Sequence, residues 1–488
     1  MGKCMMRLLS DEDVRKIRVE AIKILEDVGV KVSHDEAKKM LKKSGATVDH
    51  HTDLVLIPRK LTEECLKRVP QKVILGARDL DKDIILEPDN ERVYNRSISG
   101  GEYYIDLNNG KYRKAVFSDV KDWARLVDGM EGIDICTMPY YSDASLNMSA
   151  RDVRGLEILL ENTSKHIELQ PYGKQNVEYM IKMGIVERGS EEEFKRRPRF
   201  TLMVSPVSPL HYHANSIDIM LLAGEYGIPI ELTPMPIAGA GGPVTLAGNA
   251  LSMIAEFLAG VVICESAYPG SPLIFAARPV VMNMSTGGVI EASIEVAMLS
   301  SAATQVAREG FGWRSDMYSL VADSPVADGQ SMIERSFNCI FCAFTGADIL
   351  SGWGCLETAR TLDIVQLAID SEIAGMTSRA LKGIELNDET LGLDAIRRVG
   401  AGVGKTYLTD KHTLKYCRTE YFKPKIFIYS KRNTWELEGG KDLYERAKER
   451  VKLILREHIP TPLDETVVKE LRLISEEAER EIKEISTA

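Results

Sequence analysis

The sequence predicts an α/β protein built on a (β/α)8 TIM barrel, with an N-terminal helical cap and a C-terminal helical extension. Short apolar or β-branched runs recur through the middle of the chain, and a stretch with helical spacing follows each run. A parallel return between two strands needs a crossover helix, so this alternation indicates a parallel sheet. The runs lie at residues 133–138, 166–170, 200–204, 228–232, 273–276 and 347–350.

A barrel of this kind closes with eight strands, and the pattern reveals fewer. One or two strands therefore remain unplaced, and an open, doubly wound sheet is the competing architecture. Proline or other turn-forming residues end several runs, as at Pro139, Pro171 and Pro206. Loops that follow barrel strands carry the active sites of TIM barrels, so we look for functional residues there.

The segments on either side of the barrel are predicted to be helical. Ser10 and Asp13 resemble a capping box at the start of the first helix. We divide the chain into a mainly helical cap over residues 1–88, a catalytic barrel over residues 89–430 and a helical extension over residues 431–488. Apolar residues of the last helix recur every three or four positions. That face either packs on the barrel or contacts another subunit, and we expect a homo-oligomer.

The composition argues against several functional classes. The net charge is −10, with 72 acidic and 62 basic residues and no long basic stripe, so we expect no nucleic-acid partner. The N-terminus has no apolar signal core and no apolar run is long enough to cross a bilayer, so we expect a cytoplasmic protein without membrane contact. The eight scattered cysteines fit free thiols in a reducing compartment.

Three short motifs resemble ligand sites. Residues 400–406 (GAGVGKT) lack the spacing of a phosphate loop and follow a helical pattern instead of a strand. Cys339 and Cys342 form one C-x-x-C among apolar neighbours, which is typical of buried thiols, and we expect no metal site. His211 and His213 follow a predicted strand, where they either contact a substrate or are polar loop residues.

Glycines and one acid near the fourth visible strand are further candidates. Gly239, Gly241 and Gly242 either let the backbone approach a bound cofactor closely or form a simple turn. Glu231 lies at the end of the preceding strand. Its carboxylate either opposes a positive charge on a ligand or belongs to a structural salt bridge.

Aromatic residues flank several predicted loops of the barrel. A quaternary ammonium group donates no hydrogen bond, so aromatic faces hold it by cation–π attraction worth roughly 0.5–2 kcal/mol each. Arg314 is a candidate for binding a carboxylate through two parallel hydrogen bonds. The alternative is that the aromatic residues are ordinary packing residues. The candidates are Tyr103, Tyr104, Trp313, Tyr318 and Trp353.

A series of motifs in one order resembles the trimethylamine methyltransferase family over nearly the whole chain. The motifs include residues 104–110 (YIDLNNG), 234–240 (PMPIAGA), 242–248 (GPVTLAG) and 418–420 (RTE). The resemblance implies a (β/α)8 barrel that transfers a methyl group to the Co(I) form of a cognate corrinoid protein. That partner supplies the cobalamin, so we expect no tightly bound cofactor in this chain.

The trimethylamine branch of this family carries pyrrolysine, whereas every residue of this chain is a standard amino acid. The resemblance therefore implies the branch that uses small quaternary amines, such as glycine betaine, proline betaine or carnitine. The aromatic candidates would then shape the cation pocket, Arg314 would bind the carboxylate, and Glu231 could face the nitrogen.

Two alternatives remain open at this point. The first is a barrel lyase that needs no corrinoid and works by acid–base chemistry on His211 and Glu231. The second is a non-catalytic protein that binds quaternary amines. Turnover without a corrinoid protein would indicate the first, and binding without methyl transfer would indicate the second.

Overall fold

The computed structural model describes residues 6–88, 92–142 and 147–482, in which short strands and helices alternate. The helices are α1 (Asp11–Asp27), α2 (Asp35–Lys43), α3 (Arg59–Leu66), α4 (Phe117–Gly129), α5 (Arg151–Asn162), α6 (Lys174–Arg188), α7 (Glu191–Arg196), α8 (Ala214–Tyr226), α9 (Leu246–Ala267), α10 (Ile294–Gln305), α11 (Gly329–Phe344), α12 (Ile364–Leu381), α13 (Leu393–Val399), α14 (Lys411–Tyr416), α15 (Arg432–Leu437), α16 (Leu443–Glu457) and α17 (Glu465–Glu481). The strands are β1 (Val30–Ser33), β2 (Thr47–Asp49), β3 (Leu54–Leu56), β4 (Val73–Leu75), β5 (Ile84–Leu86), β6 (Tyr94–Ser97), β7 (Tyr103–Ile105), β8 (Tyr112–Lys114), β9 (Ile135–Thr137), β10 (His166–Leu169), β11 (Phe200–Val204), β12 (His211–His213), β13 (Ile230–Leu232), β14 (Ile237–Ala238), β15 (Leu273–Phe275), β16 (Val280–Met282), β17 (Val289–Ile290), β18 (Arg314–Tyr318), β19 (Ile349–Trp353), β20 (Cys355–Leu356) and β21 (Thr361–Leu362).

Eight parallel strands close into a barrel in the order β6, β9, β10, β11, β13, β15, β18 and β19, and β19 pairs with β6 to complete the ring. Each barrel strand is followed by a helix, from α4 after β6 to α12 after β19. The predicted TIM barrel is confirmed, and the open sheet is excluded because the ring has no free edge. All six predicted strands belong to the barrel.

The two strands without an apolar signal are β6 and β18. Their sequences, YNRS and RSDMY, are polar because they carry charged residues into the barrel interior. Arg96 of β6 and Asp316 of β18 are fully buried and form an ion pair with each other. A pattern search for apolar runs therefore finds six of the eight strands and misses the two with the most polar sequences.

The base of the barrel, where the strands begin, is filled by an apolar hairpin. Strands β4 and β5 pair antiparallel, and their buried side chains form a cluster with residues from three barrel strands. The members of this plug are Val73, Leu75, Ile84, Leu86, Ile135, Ile274 and Ile349. The plug closes this end, which leaves the carboxyl ends of the strands, here called the mouth, as the open end among the described residues.

The N-terminal cap packs against the outside of the barrel on α9. Helix α1 begins with the predicted capping box, in which Ser10 and Asp13 bond reciprocally, and α1, α2 and α3 all contact α9. Helix α9 is the one helix in the described residues that is long and apolar enough to cross a membrane, and 72% of its most apolar window is buried inside the protein. It is therefore a core helix.

The C-terminal helices pack on the barrel. Helix α17 contacts α5 and α6 and buries Leu471 and Ala478, so its apolar stripe faces its own chain. Helix α16 covers α4 and α12. Residues 383–421, here called the arm, follow α12 and carry many exposed apolar side chains. The barrel's own strands and helices lie between Tyr94 and Leu381, and the boundaries at 88/89 and 430/431 remain predictions.

Candidate functional site

A charged cluster occupies the interior of the barrel above the plug. Arg96 is its centre: its Nε donates to Asp316 at 2.5 Å, and its Nη1 donates to Thr137 and Glu168 at 2.9 Å each. Its Nη2 lies 3.6 Å from Glu231 Oε2. These residues come from five barrel strands, so closing the ring is what brings them together. We call Arg96, Glu168, Glu231 and Asp316 the interior cluster.

Arg278 lies directly above the interior cluster and is 8% exposed. Its Nη1 donates to Ser351 Oγ at 3.0 Å and lies 3.8 Å from Asp316, while its Nη2 lies 3.9 Å from Glu231. Its guanidinium also covers the ring of Tyr318, with 4.6 Å between Arg278 Cζ and the ring centroid. Arg278 therefore separates the buried charges from the mouth.

The charges of this region do not balance. Three carboxylates face two guanidinium groups, so full ionisation leaves an excess negative charge among buried side chains. Burial and the neighbouring carboxylates raise the pKa of Glu231 well above its usual value. Although burial opposes it, Arg96 and Arg278 lower the pKa of Asp316. Glu231 is thus the member that takes up a proton most readily, and a cation nearby would return it to the ionised form.

A second acidic pair lies at the mouth, beyond Arg278. The backbone N–H groups of Glu291 and Ala292 donate to the Asp323 carboxylate at 3.0 and 2.9 Å. Burial and the Asp323 carboxylate raise the pKa of Glu291 to about 7, and Arg278 acts in the opposite direction. The Oε2 atom of Glu291 is shielded from solvent and has no hydrogen-bond partner among the described residues.

Three of the predicted site residues lie at the carboxyl end of the barrel strands. Glu231 belongs to the interior cluster, and Tyr318 supports Arg278. Trp353 ends β19, is fully buried and donates its indole N–H to the Leu350 carbonyl at 3.2 Å. The structure thus brings Glu231 and Tyr318 together around Arg278, which the sequence reasoning did not single out.

Tyr103 and Tyr104 lie in a separate sheet, β20-β21-β7-β8, that continues from the end of β19. Tyr103 stacks on Tyr112 with 4.6 Å between ring centroids. Tyr104 is buried, and the Arg113 guanidinium lies 4.9 Å from its ring centroid. Both rings therefore already have a neighbour against one face.

The predicted positions of Trp313 and Arg314 in a mouth loop are wrong. Residues Arg314–Tyr318 form a barrel strand, so both residues lie at its amino end, away from the mouth. Trp313 stacks on Phe311 at 4.0 Å and packs on Phe257 of α9. Arg314 pairs with Asp348 at 3.2 Å. The two residues stabilise the outside and the base of the barrel.

His211 belongs to a peripheral sheet in which β12 pairs with β1 of the N-terminal cap. Its Nε2 lies 2.9 Å from Ser33 Oγ, and its ring packs against His213. Burial, followed by the charges of His213 and Lys31, lowers the pKa of His211. Its contacts differ entirely from those of Glu231, so the structure does not join the two residues as an acid–base pair.

Gly239, Gly241 and Gly242 form a tight turn after β14. Gly239 has a φ of +97°, and its N–H donates to the Gly242 carbonyl at 3.0 Å. A Cβ atom at Gly242 would lie 2.7 Å from Asn249 Nδ2. Local packing accounts for these glycines, which supports the simple-turn interpretation, and a cofactor contact there remains a prediction.

Sequence reasoning missed most of the charged residues around this site. Arg96 and Asp316 lie in the two strands that the apolar pattern did not reveal. Glu168 lay within a predicted strand, and a charged residue in a buried strand was the available signal. Arg278 and Glu291 lie in loops that follow β15 and β17, and their proximity depends on the closed ring.

Comparison with known proteins places this barrel in a family. The sequence model of the trimethylamine methyltransferase family matches residues 2–482. A trimethylamine methyltransferase from Desulfitobacterium hafniense is 30% identical over 472 residues, covering 97% of this chain and 94% of that protein. One from Methanosarcina barkeri is 30% identical over 482 residues, covering 97% and 96%. A glycine betaine methyltransferase from another strain of Desulfitobacterium hafniense is 25% identical over 478 residues, covering 98% of each chain.

The fold has a solved counterpart as well. The crystal structure of the Methanosarcina barkeri monomethylamine methyltransferase superposes with a TM-score of 0.52 and 13% sequence identity, covering 92% of this chain and 94% of that one. At this identity the likeness concerns the fold alone. The sequence relationship over nearly the full length carries the assignment, and the chain belongs to the trimethylamine methyltransferase family.

Proposed function

We propose that this protein transfers a methyl group from a small quaternary amine of the betaine type to the Co(I) form of a separate corrinoid protein, in the cytoplasm. The observation that carries the proposal is the excess of three carboxyl groups over two guanidinium groups inside a closed barrel, which a bound cation would balance. The cluster lies below the end of the strands where barrel enzymes bind their substrates. Membership of the family supports the reaction class.

The reaction asks little acid–base chemistry of the protein. The corrinoid of the partner supplies the nucleophile. The methyl carbon would form its new bond to the cobalt of the partner's corrinoid as the N–CH₃ bond breaks. The electron pair of the broken bond would stay on nitrogen, which leaves as an uncharged tertiary amine nitrogen. The chain's own residues therefore need to bind the cation, orient the methyl group towards the mouth and exclude water.

The raised pKa of Glu231 suits this reaction. The nitrogen loses its positive charge as the bond breaks, so a fully ionised carboxylate in direct contact would stabilise the bound donor more than the transition state. A carboxyl group with a strongly raised pKa contributes less of this unproductive stabilisation. With Glu231 protonated, Glu168 and Asp316 balance the two guanidinium groups, so Glu231 adds to the attraction only in the fraction of molecules in which it has lost its proton.

The mouth fits an approach by a protein partner. Its loops carry partly exposed apolar side chains, including Met235, Val244 and Met284, which are 37%, 63% and 70% exposed. A cluster of exposed apolar groups commonly marks a surface that contacts another molecule. We assign this rim to the corrinoid protein.

The test is a spectral assay of methyl transfer. The protein is mixed with a corrinoid protein held as Co(I), and glycine betaine, choline or trimethylamine is added while the corrinoid absorbance is followed. The expected result is methylation with glycine betaine and none with trimethylamine. Calorimetric binding of glycine betaine without methylation by any corrinoid protein encoded nearby would favour the binding-protein alternative.

The lyase alternative receives no support from the geometry. It required His211 and Glu231 to act together, and His211 is instead paired with Ser33 in the peripheral sheet. Loss of the substrate in the absence of any corrinoid protein would overturn this conclusion.

A further inference from the structure

Arg278 and the acidic pair at the mouth lie on loops and strand ends at the carboxyl end of the barrel. Arg278 follows β15, Tyr318 ends β18, Glu291 follows β17 and Asp323 lies beyond β18. The Arg278 guanidinium is held from one side by the Tyr318 ring and from another by Ser351. It is therefore a fixed donor group and not a mobile surface arginine.

Arg278 retains hydrogen-bonding capacity that the protein does not use fully. Its Nη2 has only a sulfur contact, 3.7 Å from Met203 Sδ, and its carboxylate neighbours Glu231 and Asp316 lie beyond hydrogen-bond distance at 3.9 and 3.8 Å. A buried guanidinium with a weakly satisfied edge is suited to a carboxylate, which accepts two parallel N–H bonds.

Glu291 presents the opposite chemistry. Asp323 is fully engaged, because it accepts two backbone N–H groups and the Thr358 hydroxyl at 2.9 Å. Glu291 Oε2 has no hydrogen-bond donor among the described residues. A quaternary nitrogen has no N–H to donate, so charge attraction holds it beside a carboxylate, and an oxygen without a hydrogen-bond donor is free to supply that attraction.

The local charge points in the same direction. The Asp323 carboxylate raises the pKa of Glu291, and the one guanidinium that opposes it, that of Arg278, already shares its charge with Glu231 and Asp316. A cation bound beside Glu291 would offset the remaining negative charge. An anion bound at Arg278 needs that cation nearby, and a zwitterion supplies both charges in one molecule.

We propose that Arg278 and Glu291 determine donor specificity by binding the two ends of a zwitterion, the carboxylate on Arg278 and the quaternary nitrogen beside Glu291. This inference rests on the proposed function and adds the residues that select the donor. Tyr318 is a positioning residue in this arrangement, since it acts through Arg278.

The test measures binding of three ligands of nearly equal shape by calorimetry. Glycine betaine carries both charges, choline replaces the carboxylate with a hydroxymethyl group, and 3,3-dimethylbutanoate replaces the charged nitrogen with carbon. The variants of the full chain are Arg278→Met, Arg278→Lys and Glu291→Gln. Glu295→Gln, an exposed acid in the first turn of α10, is the matched control.

We expect each variant to lose affinity only for the ligands that carry the charge recognised by the substituted residue. Arg278→Met weakens glycine betaine at least tenfold and leaves choline nearly unchanged, whereas Arg278→Lys, which keeps the charge, has an intermediate effect. Glu291→Gln weakens glycine betaine and choline but not 3,3-dimethylbutanoate. Glu295→Gln changes none of the three affinities.

Equal losses of choline and glycine betaine in Arg278→Met would overturn the inference, as would full-strength choline binding in Glu291→Gln. The proposed function fails separately. If the ligand pattern holds but no corrinoid is methylated, the site stands and the reaction is wrong. If the corrinoid is methylated and the two variants leave donor affinity unchanged, the reaction stands and this assignment is wrong.

Discussion

The guanidinium of Arg278 lies over the ring of Tyr318, with 4.6 Å between the Arg278 Cζ and the ring centroid. A cation–π contact of this kind contributes about 0.5–2 kcal/mol, or roughly 2- to 30-fold in an equilibrium constant. We expect Tyr318→Leu to raise KM for glycine betaine within that range, and Tyr318→Phe to keep most of the affinity because the ring remains. Steady-state kinetics of both variants provide the check. Equal losses would mean that the hydroxyl group, and not the ring, is required.

Arg96 holds the interior cluster together, so its removal should destabilise the fold. Arg96→Met leaves three buried carboxyl groups without their central cation, and breaking a buried pair in this way costs roughly 3–5 kcal/mol. The free energy of unfolding in urea measures the effect. The loss should shrink as the pH is lowered, because the carboxyl groups then take up protons. Arg472→Met, which removes an exposed pair with Glu161, serves as the control and should change little.

Donor binding should depend on pH through Glu291. Burial and Asp323 raise the pKa of Glu291 to about 7, so the carboxylate that attracts the donor forms only as the pH rises through that value. We expect the association constant of glycine betaine to increase over this range and to be flatter in Glu291→Gln. Calorimetry between about pH 6 and pH 8 tests this.

The same shift has a defined sign for stability. Between the ordinary value of 4.5 and about 7, the folded protein retains the Glu291 proton that the unfolded chain releases. Glu291 therefore lowers the free energy of unfolding as the pH rises through this window. Glu291→Gln should lessen that decline. An unchanged slope would contradict the raised pKa of Glu291.

Trp313 should matter for stability and not for the donor. Its ring is buried among Phe257, Phe275 and Phe311, and its indole N–H has no acceptor among the described residues. Trp313→Ala should cost roughly 3–5 kcal/mol of stability, whereas Trp313→Phe keeps an aromatic ring and should cost much less. Thermal unfolding and KM measured together provide the test. A large rise of KM in Trp313→Phe would mean that this residue contributes to donor binding after all.

The arm should mediate self-association. Its exposed apolar side chains include Ile384, Leu386, Leu408 and Leu414, which are 88%, 76%, 78% and 67% exposed. A stable interface takes ~800 Å² from each partner, and an exposed apolar surface of this kind is suited to contribute to one. We therefore propose a homo-oligomer with the arm against a second copy of the chain. The double substitution of Ile384 and Leu408 by lysine should lower the mass measured by sedimentation equilibrium, whereas Leu437→Lys, outside the arm, should not.

More of the architecture of this protein than of its site chemistry could be predicted from the sequence. Apolar runs revealed six barrel strands, and the capping box at Ser10 and Asp13 correctly predicted the first helix. Strand β18 escaped detection because Arg314, Ser315 and Asp316 are polar. Because this strand was missed, Trp313 and Arg314 were predicted to lie in a loop at the mouth.

The site could be predicted only in part for the same reason. Glu231 was recognisable as an acid at the end of a strand, but its partners Arg96 and Arg278 are 135 and 47 residues away in the sequence. Contacts of this kind follow from ring closure and leave no local pattern. The raised pKa of Glu291 likewise depends in part on Asp323, which lies 32 residues further along the chain.

The apolar hairpin closes the base of the barrel, so the described residues leave the mouth as the one way into its interior. Under the proposed reaction, the donor, its demethylated product and the corrinoid partner must all use the same opening. The donor then has to enter before the partner arrives, and the product has to wait until the partner departs. An excess of corrinoid protein should therefore slow turnover, because a bound partner blocks the mouth. At saturating donor, exchange of the partner would be the rate-limiting step.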